Sequence, residues 1–295
     1  MARAAGRCGV MTPVLFALTG LLWGGGALAT AMQAGVTAAP WSVALRMALA
    51  GLLLLGYGRA RDVPLIIPKG DRVFVVMQGV LFFALAFIAF YQAVQRIPSG
   101  LAALVLSTSS LFAALLGRVL LGSPLTSGLL WGALCGIAGI GVVFGPGFGS
   151  LGESGNTGLA WALVAAIATA GGTVVGARNQ QAGLPTVAVL GWGALIGGIA
   201  SAAWALSERA PFVLDLSARY LGSLLYLAVA ASCVTFMLYF ELVRRLGPGK
   251  AAYTLATVPV IALILSAVFE NLHLDGRVVI GAAAVLVGNI LVLRR

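Results

Sequence analysis

The sequence predicts an all-α integral membrane protein: ten transmembrane helices in two inverted five-helix repeats, with both termini cytoplasmic. Three observations carry the prediction. Hydrophobic residues make up 61% and charged residues 9% of the 295, with a mean hydropathy of +1.06, whereas soluble domains carry about 25% charge. The apolar residues fall in stretches long enough to cross a bilayer. The two halves also match each other in register. A sphere of this size has too little interior to hide so much apolar surface, so lipid is the solvent for much of the chain.

About 20 apolar residues cross the hydrocarbon core. Reading between charged or Pro/Gly breaks gives spans at 12–32, 41–58, 73–94, 100–121, 127–147, 158–177, 186–207, 219–242, 250–269 and 277–293. The breaks carry turn chemistry: Arg59 to Asp71 with Pro64 and Pro68, Gly147 to Thr157, Glu208 to Ser217, and Gly247-Pro248-Gly249. No alternation of the outer-membrane barrel type appears. The first span is too long for a secretory signal and lacks its small-residue cleavage site, so it is expected to be retained. With the N-terminus in the cytoplasm, thirteen Lys and Arg residues lie inside, four (Arg96, Arg209, Arg219, Arg277) lie outside, and Arg46 sits within a span. That asymmetry is the positive-inside signature and puts both termini in the cytoplasm; the expected location is a bacterial-type inner membrane.

At an offset of 149, Arg96 falls on Arg245, Gly100 on Gly249, Leu106 on Leu255, Thr108 on Thr257, and Gly132-Ala133 on Gly281-Ala282. Near the first span of each half, Gln33-Ala34-Gly35 falls on Gln181-Ala182-Gly183 at an offset of 148. The expected organisation is a first repeat at 1–147, an extracytoplasmic linker at 148–157, and a second repeat at 158–295. Five spans per half force the second to enter the membrane from the opposite side. An inverted repeat lets inward-open and outward-open states become near mirror images around one site, which implies transport by alternating access.

The segments from Phe90-Tyr91-Gln92-Ala93 through Leu134, and from Tyr239-Phe240-Glu241-Leu242 through Val285, resemble the tandem EamA units of the drug/metabolite transporter (DMT) superfamily. Within it the chain is similar to the YddG-like amino-acid exporters. The resemblance implies amino-acid substrates and net export. Family units carry a proline midway along the fourth helix; Pro259 matches, while Ser110 stands at the equivalent place in the first half. They also close that helix with a Gly-Glu pair. Glu270 fits loosely, but Gly122-Ser123 lacks the acid.

Several residues are candidates for the solute path. Trp23-Gly24-Gly25-Gly26 is a hinge candidate, since three consecutive glycines barely sustain a helix, and Gly171-Gly172 lies at the equivalent depth of the sixth span. Ser107, Thr108, Ser109 and Ser110 place four hydroxyls mid-span, where each either back-bonds or faces the interior. Thr257 and Pro259 sit at matching depth in the ninth span; the proline frees a carbonyl that a cavity can accept. Phe83, Phe87 and Phe90 with Gln78 nearby, like Ser232, Thr235 and Tyr239, fall at helical spacing on one face; Tyr91 belongs to the same aromatic crowd of the third span, and Thr173 lies near the paired glycines. An aromatic and hydroxyl mixture suits a solute with an apolar body and polar ends. Arg46 lies on the outer side of the second span, where it either snorkels to headgroups or pairs with a substrate carboxylate or carbonyl at an outer gate.

What the spans lack narrows the substrate. No Asp or Glu sits mid-span, and no Lys lies inside a span beyond Lys250 at the very start of the ninth, so ion-driven antiport through an intramembrane carboxylate and binding of phosphate dianions are both unsupported. A neutral or zwitterionic metabolite fits, held by hydroxyls and helix ends. Three cysteines without metal or disulfide spacing and one histidine call for no metal, no cofactor and no enzyme. The net charge of +10 forms no dense run, so no nucleic-acid partner is expected. The partners are a small solute and the bilayer. Small-xxx-small motifs such as Gly20/Gly24 serve internal packing or a homo-oligomer. The alternatives are a lipid flippase, a passive channel or, on Ser109 and His273, an intramembrane hydrolase.

Overall fold

The computed structural model describes residues 2–121, 127–145, 152–246 and 248–293. The side chains of 2–11, of parts of 118–121 and of several residues between 240 and 253 lie outside the description. Gly122-Ser123, Gly147 and Gly247, singled out above, also fall outside it, as do Arg294 and Arg295. Every regular element among the described residues is helical. They run α1 Ala2–Ala31, α2 Ala39–Ala60, α3 Arg72–Gln78, α4 Ala86–Val94, α5 Ser99–Ser107, α6 Ser109–Leu121, α7 Ser127–Phe144, α8 Gly152–Gln181, α9 Thr186–Ser207, α10 Ala218–Leu225, α11 Thr235–Leu246, α12 Pro248–Phe269 and α13 Gly276–Leu293. Eight helices among the described residues are long and apolar enough to cross a membrane, and two shorter apolar ones, Thr254–Phe269 and Gly276–Val292, follow.

The helices start where local chemistry satisfies their free N–H groups. Pro40 stands in the first turn of α2, and Pro98 and Pro185 directly precede α5 and α9. The Ser217 hydroxyl accepts from the Tyr220 amide at α10, and Asp275 Oδ1 accepts from the Val278 amide at α13. Beyond the ends of α1 and α8, the matched residues Gly35 and Gly183 both take positive φ, at 147° and 72°, a conformation that favours glycine. Helix α8 begins at Gly152, earlier than the span expected from 158, so the second part of the expected linker is helical. There the Thr157 hydroxyl bonds back to the Glu153 carbonyl at 2.9 Å.

Three spans read as continuous α-helix depart from it. Between α3 and α4 the chain is π-helical over Gly79–Leu85, and between α10 and α11 it is π-helical over Tyr226–Val234. The two π segments are equivalent under the repeat offset. The third departure is at Thr108, which separates α5 from α6. Here Ser107, Thr108 and Ser110 donate to the carbonyls of Leu104, Val105 and Ser107, and such back-bonding bends helices.

The packing exchanges the two halves. Helix α2 lies on α9, α5 on α12, and α7 on α13; α1 against α12 is matched by α6 against α8. The α7–α13 crossing is the closest. A Cβ on Gly132 would lie 2.7 Å from the Gly288 carbonyl oxygen, and one on Gly288 would lie 2.6 Å from that of Gly132. Gly139 and Gly281 repeat the relationship at 2.5 and 2.6 Å. The pairing 132 with 288 and 139 with 281 runs antiparallel, and each residue meets the repeat-equivalent of the other's neighbour. That reciprocity is an isologous contact. At the α5–α12 crossing, a Cβ on Gly100 would lie 2.7 Å from the Leu263 Cα. The Ser99 amide and hydroxyl there both donate to Glu270 Oε2, at 3.0 and 2.6 Å, so the acid of one half caps a helix of the other.

Candidate functional site

The second π segment organises the polar interior. A π turn widens the helix by a residue and redirects successive side chains. Three consecutive residues of Tyr226–Val234 consequently reach two neighbouring helices. The Ala231 carbonyl accepts from Trp23 Nε1 at 3.1 Å, Ser232 Oγ accepts from Arg46 at 3.4 Å, and the Cys233 thiol meets the Ala50 carbonyl at 3.6 Å. The Ser232 and Thr235 hydroxyls donate to the carbonyls of Leu227 and Ala230, each five residues back, which satisfies the acceptors that the wider turn frees.

Trp23 packs edge-on against Phe236 and tilted against Tyr239, with ring centroids 5.5 and 5.2 Å away. Its glycines are placed for close approach. A Cβ on Gly24 would meet the Ile261 side chain at 2.5 Å, and one on Gly25 would meet the Tyr226 hydroxyl at 2.6 Å. That hydroxyl donates to the Leu22 carbonyl at 2.8 Å. Gly26 has only ordinary contact, at 3.7 Å from the Ala231 Cβ.

Arg46, two turns into α2, does not snorkel to a headgroup. It is 5% exposed. Its guanidinium lies over the Phe87 ring at 4.3 Å from the centroid, makes the single long bond to Ser232, and lies close enough to Tyr91 to interact electrostatically. No carboxylate comes within ion-pair distance of it among the described residues. Tyr91 is fully buried and donates to Gln33 Oε1 at 2.7 Å. On the same side, Ser42 Oγ and Tyr220 Oη are 2.9 Å apart. Helices α1, α2, α4 and α10 and the second π segment thus enclose a polar cluster beside Trp23.

Trp23, Tyr91, Ser232, Thr235, Tyr239 and Arg46, singled out from sequence, are therefore brought around one π segment. The other candidates meet other helices. Gln78 accepts from Asn179 Nδ2 at 2.9 Å, where α3 lies on α8. Phe83 fills the groove made by Gly193 and Gly197 of α9, and Phe82 packs on Gly172. Ser107 and Ser110 are bridged by the Asn289 amide of α13, at 3.0 and 2.9 Å. Thr173 is exposed and back-bonded to Thr169. Thr257, back-bonded to Thr254, lies 2.5 Å from where a Gly20 Cβ would stand. With buried Pro259 two residues on, it belongs to the α1–α12 contact. An apolar cavity of about 400 Å³, lined by Phe16, Thr257, Val260, Ile261, Leu286 and Ile290, lies between α1, α12 and α13. Sequence reasoning missed Gln33 as a side chain, and missed Ser42, Tyr220 and Asn289 altogether. The repeat match at Gln33 was the one signal available.

Fold and site together define a multi-pass helical membrane protein with a polar site enclosed between its helices. The EamA-like transporter family model matches residues 11–145 and again 156–294. The chain belongs to that family, a family of membrane solute transporters within the DMT superfamily. It is 28% identical over 279 residues to a WAT1-related chloroplastic protein of Arabidopsis thaliana, covering 92% of this chain and 66% of that one. The chain thus spans just under two thirds of that relative's length. It is 26% identical over 223 residues to Protein PecM of Dickeya dadantii, covering 75% of this chain and 73% of the relative. A solved crystal structure matches with a TM-score of 0.67 and 24% identity over 96% of each chain, a likeness that shows the fold alone.

Proposed function

We propose that the protein is a secondary transporter exporting amino acids, aromatic ones included, or similar small zwitterionic metabolites across the inner membrane by alternating access. In this reading ten spans form two inverted repeats with both termini in the cytoplasm, and no catalysis is involved. The observation that carries it is the antiparallel, reciprocal crossing of α7 on α13. Equivalent helices that meet antiparallel are related by an axis across the helices, which in a membrane lies in its plane. Two such halves can exchange conformations at little net cost, which is what alternating access needs.

The solute lies beside Trp23, Tyr91, Ser232 and Tyr239, with Gly24 to Gly26 and Gly171-Gly172 as the flexing points and Pro259 loosening α12. Aromatic faces and hydroxyls accommodate an apolar body with a polar end, and among the described residues the interior holds no pair of cations for a phosphate dianion. Purified protein in liposomes preloaded with unlabelled amino acid, without ion gradients, tests the reading. Saturable counterflow of labelled phenylalanine, threonine or methionine, and none of sugar phosphates, is the expected result. Flux that does not saturate would replace the carrier by a channel. Absence of all uptake by folded protein would favour a lipid flippase.

A further inference from the structure

The polar cluster around Arg46 has more donors than acceptors. Arg46 brings five N–H groups and accepts nothing. It makes one long bond at 3.4 Å, and its Nε has no partner. Gln33, 2% exposed, spends its oxygen on Tyr91 and leaves Nε2 without a partner. The hydroxyls nearby spend their hydrogens elsewhere, Ser232 on Leu227, Thr30 on Gly26 and Tyr91 on Gln33; their oxygens can still accept, but only that of Ser232 stands within hydrogen-bond distance of Arg46, at 3.4 Å, with Tyr91 beside it. Two half-buried arginines elsewhere have carboxylate partners, Arg178 with Asp71 and Arg245 with Glu241, whereas the more deeply buried Arg46 has none among the described residues. A buried cation without a counter-ion is costly, and unpaired buried donors are rare in native proteins.

From this surplus we infer that Arg46 and Gln33 form a carboxylate subsite, in which the two orphaned donors bind the single carboxylate of a monoanionic or zwitterionic solute. The inference rests on the transport reading and deepens it by naming the group recognised. One guanidinium balances one carboxylate, and its planar fork matches that group's geometry. The Phe87 face holds the fork in place, and the rings of Tyr91 and Trp23 take the solute's apolar body. Ser232, bonded to Arg46, and Ala231, bonded to Trp23, tie the charged and aromatic ends through adjacent residues.

The test compares four probes of one shape on purified wild-type, R46Q, R46K and Q33L protein: hydrocinnamate, phenylalanine, phenylalaninamide and phenethylamine. Thermal stabilisation is read alongside counterflow. Hydrocinnamate and phenylalanine raise the wild-type melting temperature, whereas the amide and the amine do not. R46Q weakens carboxylate binding on the order of 10- to 100-fold, R46K restores part of it, and Q33L weakens it less. Should R46Q fail to show a cooperative melt, R46K and Q33L carry the comparison. Equal responses to all four probes, no response of wild type to any, or unchanged carboxylate binding in the folded variants overturns the subsite. Stabilisation by carboxylates without counterflow leaves the subsite standing and removes the transport reading instead.

Discussion

Gly139 and Gly281 face each other backbone to backbone: a Cβ on either would lie 2.5 or 2.6 Å from the other's carbonyl oxygen. Lipid supplies no hydrophobic drive between helices, so close packing of small residues holds such a crossing together. Gly139→Ala therefore lowers the melting temperature in detergent, by about 1–3 kcal/mol of stability. Gly141→Ala, two residues on with nothing within 4 Å of its Cβ position, leaves the melt unchanged. Equal effects at the two positions would remove the reason given for the glycines.

The glycines after Trp23 separate packing from hinging. Gly25→Ala pushes the Tyr226 hydroxyl off the Leu22 carbonyl and lowers the melting temperature. Gly26→Ala has room and, by favouring continuous helix by about 1 kcal/mol, holds or raises the melting temperature. If α1 must unwind there during transport, Gly26→Ala slows counterflow about fivefold. Unaltered counterflow would move the hinge elsewhere.

How far the sequence reveals this architecture depends on which forces act locally. Lipid demands continuous apolar runs, so the apolar spans are legible, as is the repeat register that makes Gly132 the equivalent of Gly281. The π segments are not. Tyr226–Val234 contains no Pro or Gly to mark a changed pitch, and its wider turn is held by neighbours on α1 and α2. The depth of Arg46 along its span is also legible, but its direction is not, because only the fold decides whether a side chain on α2 meets lipid or Phe87. The mid-span hydroxyls attract notice without showing that Asn289, a lone amide in the last span, bridges them.

Trp23→Phe keeps an aromatic ring beside Phe236 and Tyr239 but removes the donor to the Ala231 carbonyl. Loss of that bond costs about 1 kcal/mol. The half-saturating concentration for phenylalanine counterflow rises about fivefold, while the maximal rate changes little. A change confined to the maximal rate would place Trp23 outside the binding step.

Glu270 caps α5 from across the molecule, taking both the Ser99 amide and hydroxyl. At the repeat-equivalent positions stand Leu121 and Pro248, which cannot form this cap. Glu270→Gln and Ser99→Ala each destabilise by about 1–2 kcal/mol, and the double variant is little worse than either single one. Additive losses in that cycle of melting measurements would show that the two residues act independently.

The central claim, exchange of access between two inverted halves, is tested most directly by distances at both ends in one preparation. Spin labels at Gln95 and Asn271 report on the ends where α4 meets α5 and α12 meets α13. Labels at Arg61 and Gly183 report on the opposite ends. With the native cysteines replaced, saturating phenylalanine is predicted to shift the two distance distributions in opposite senses. Both ends opening or closing together, or neither moving while counterflow proceeds, would contradict the account.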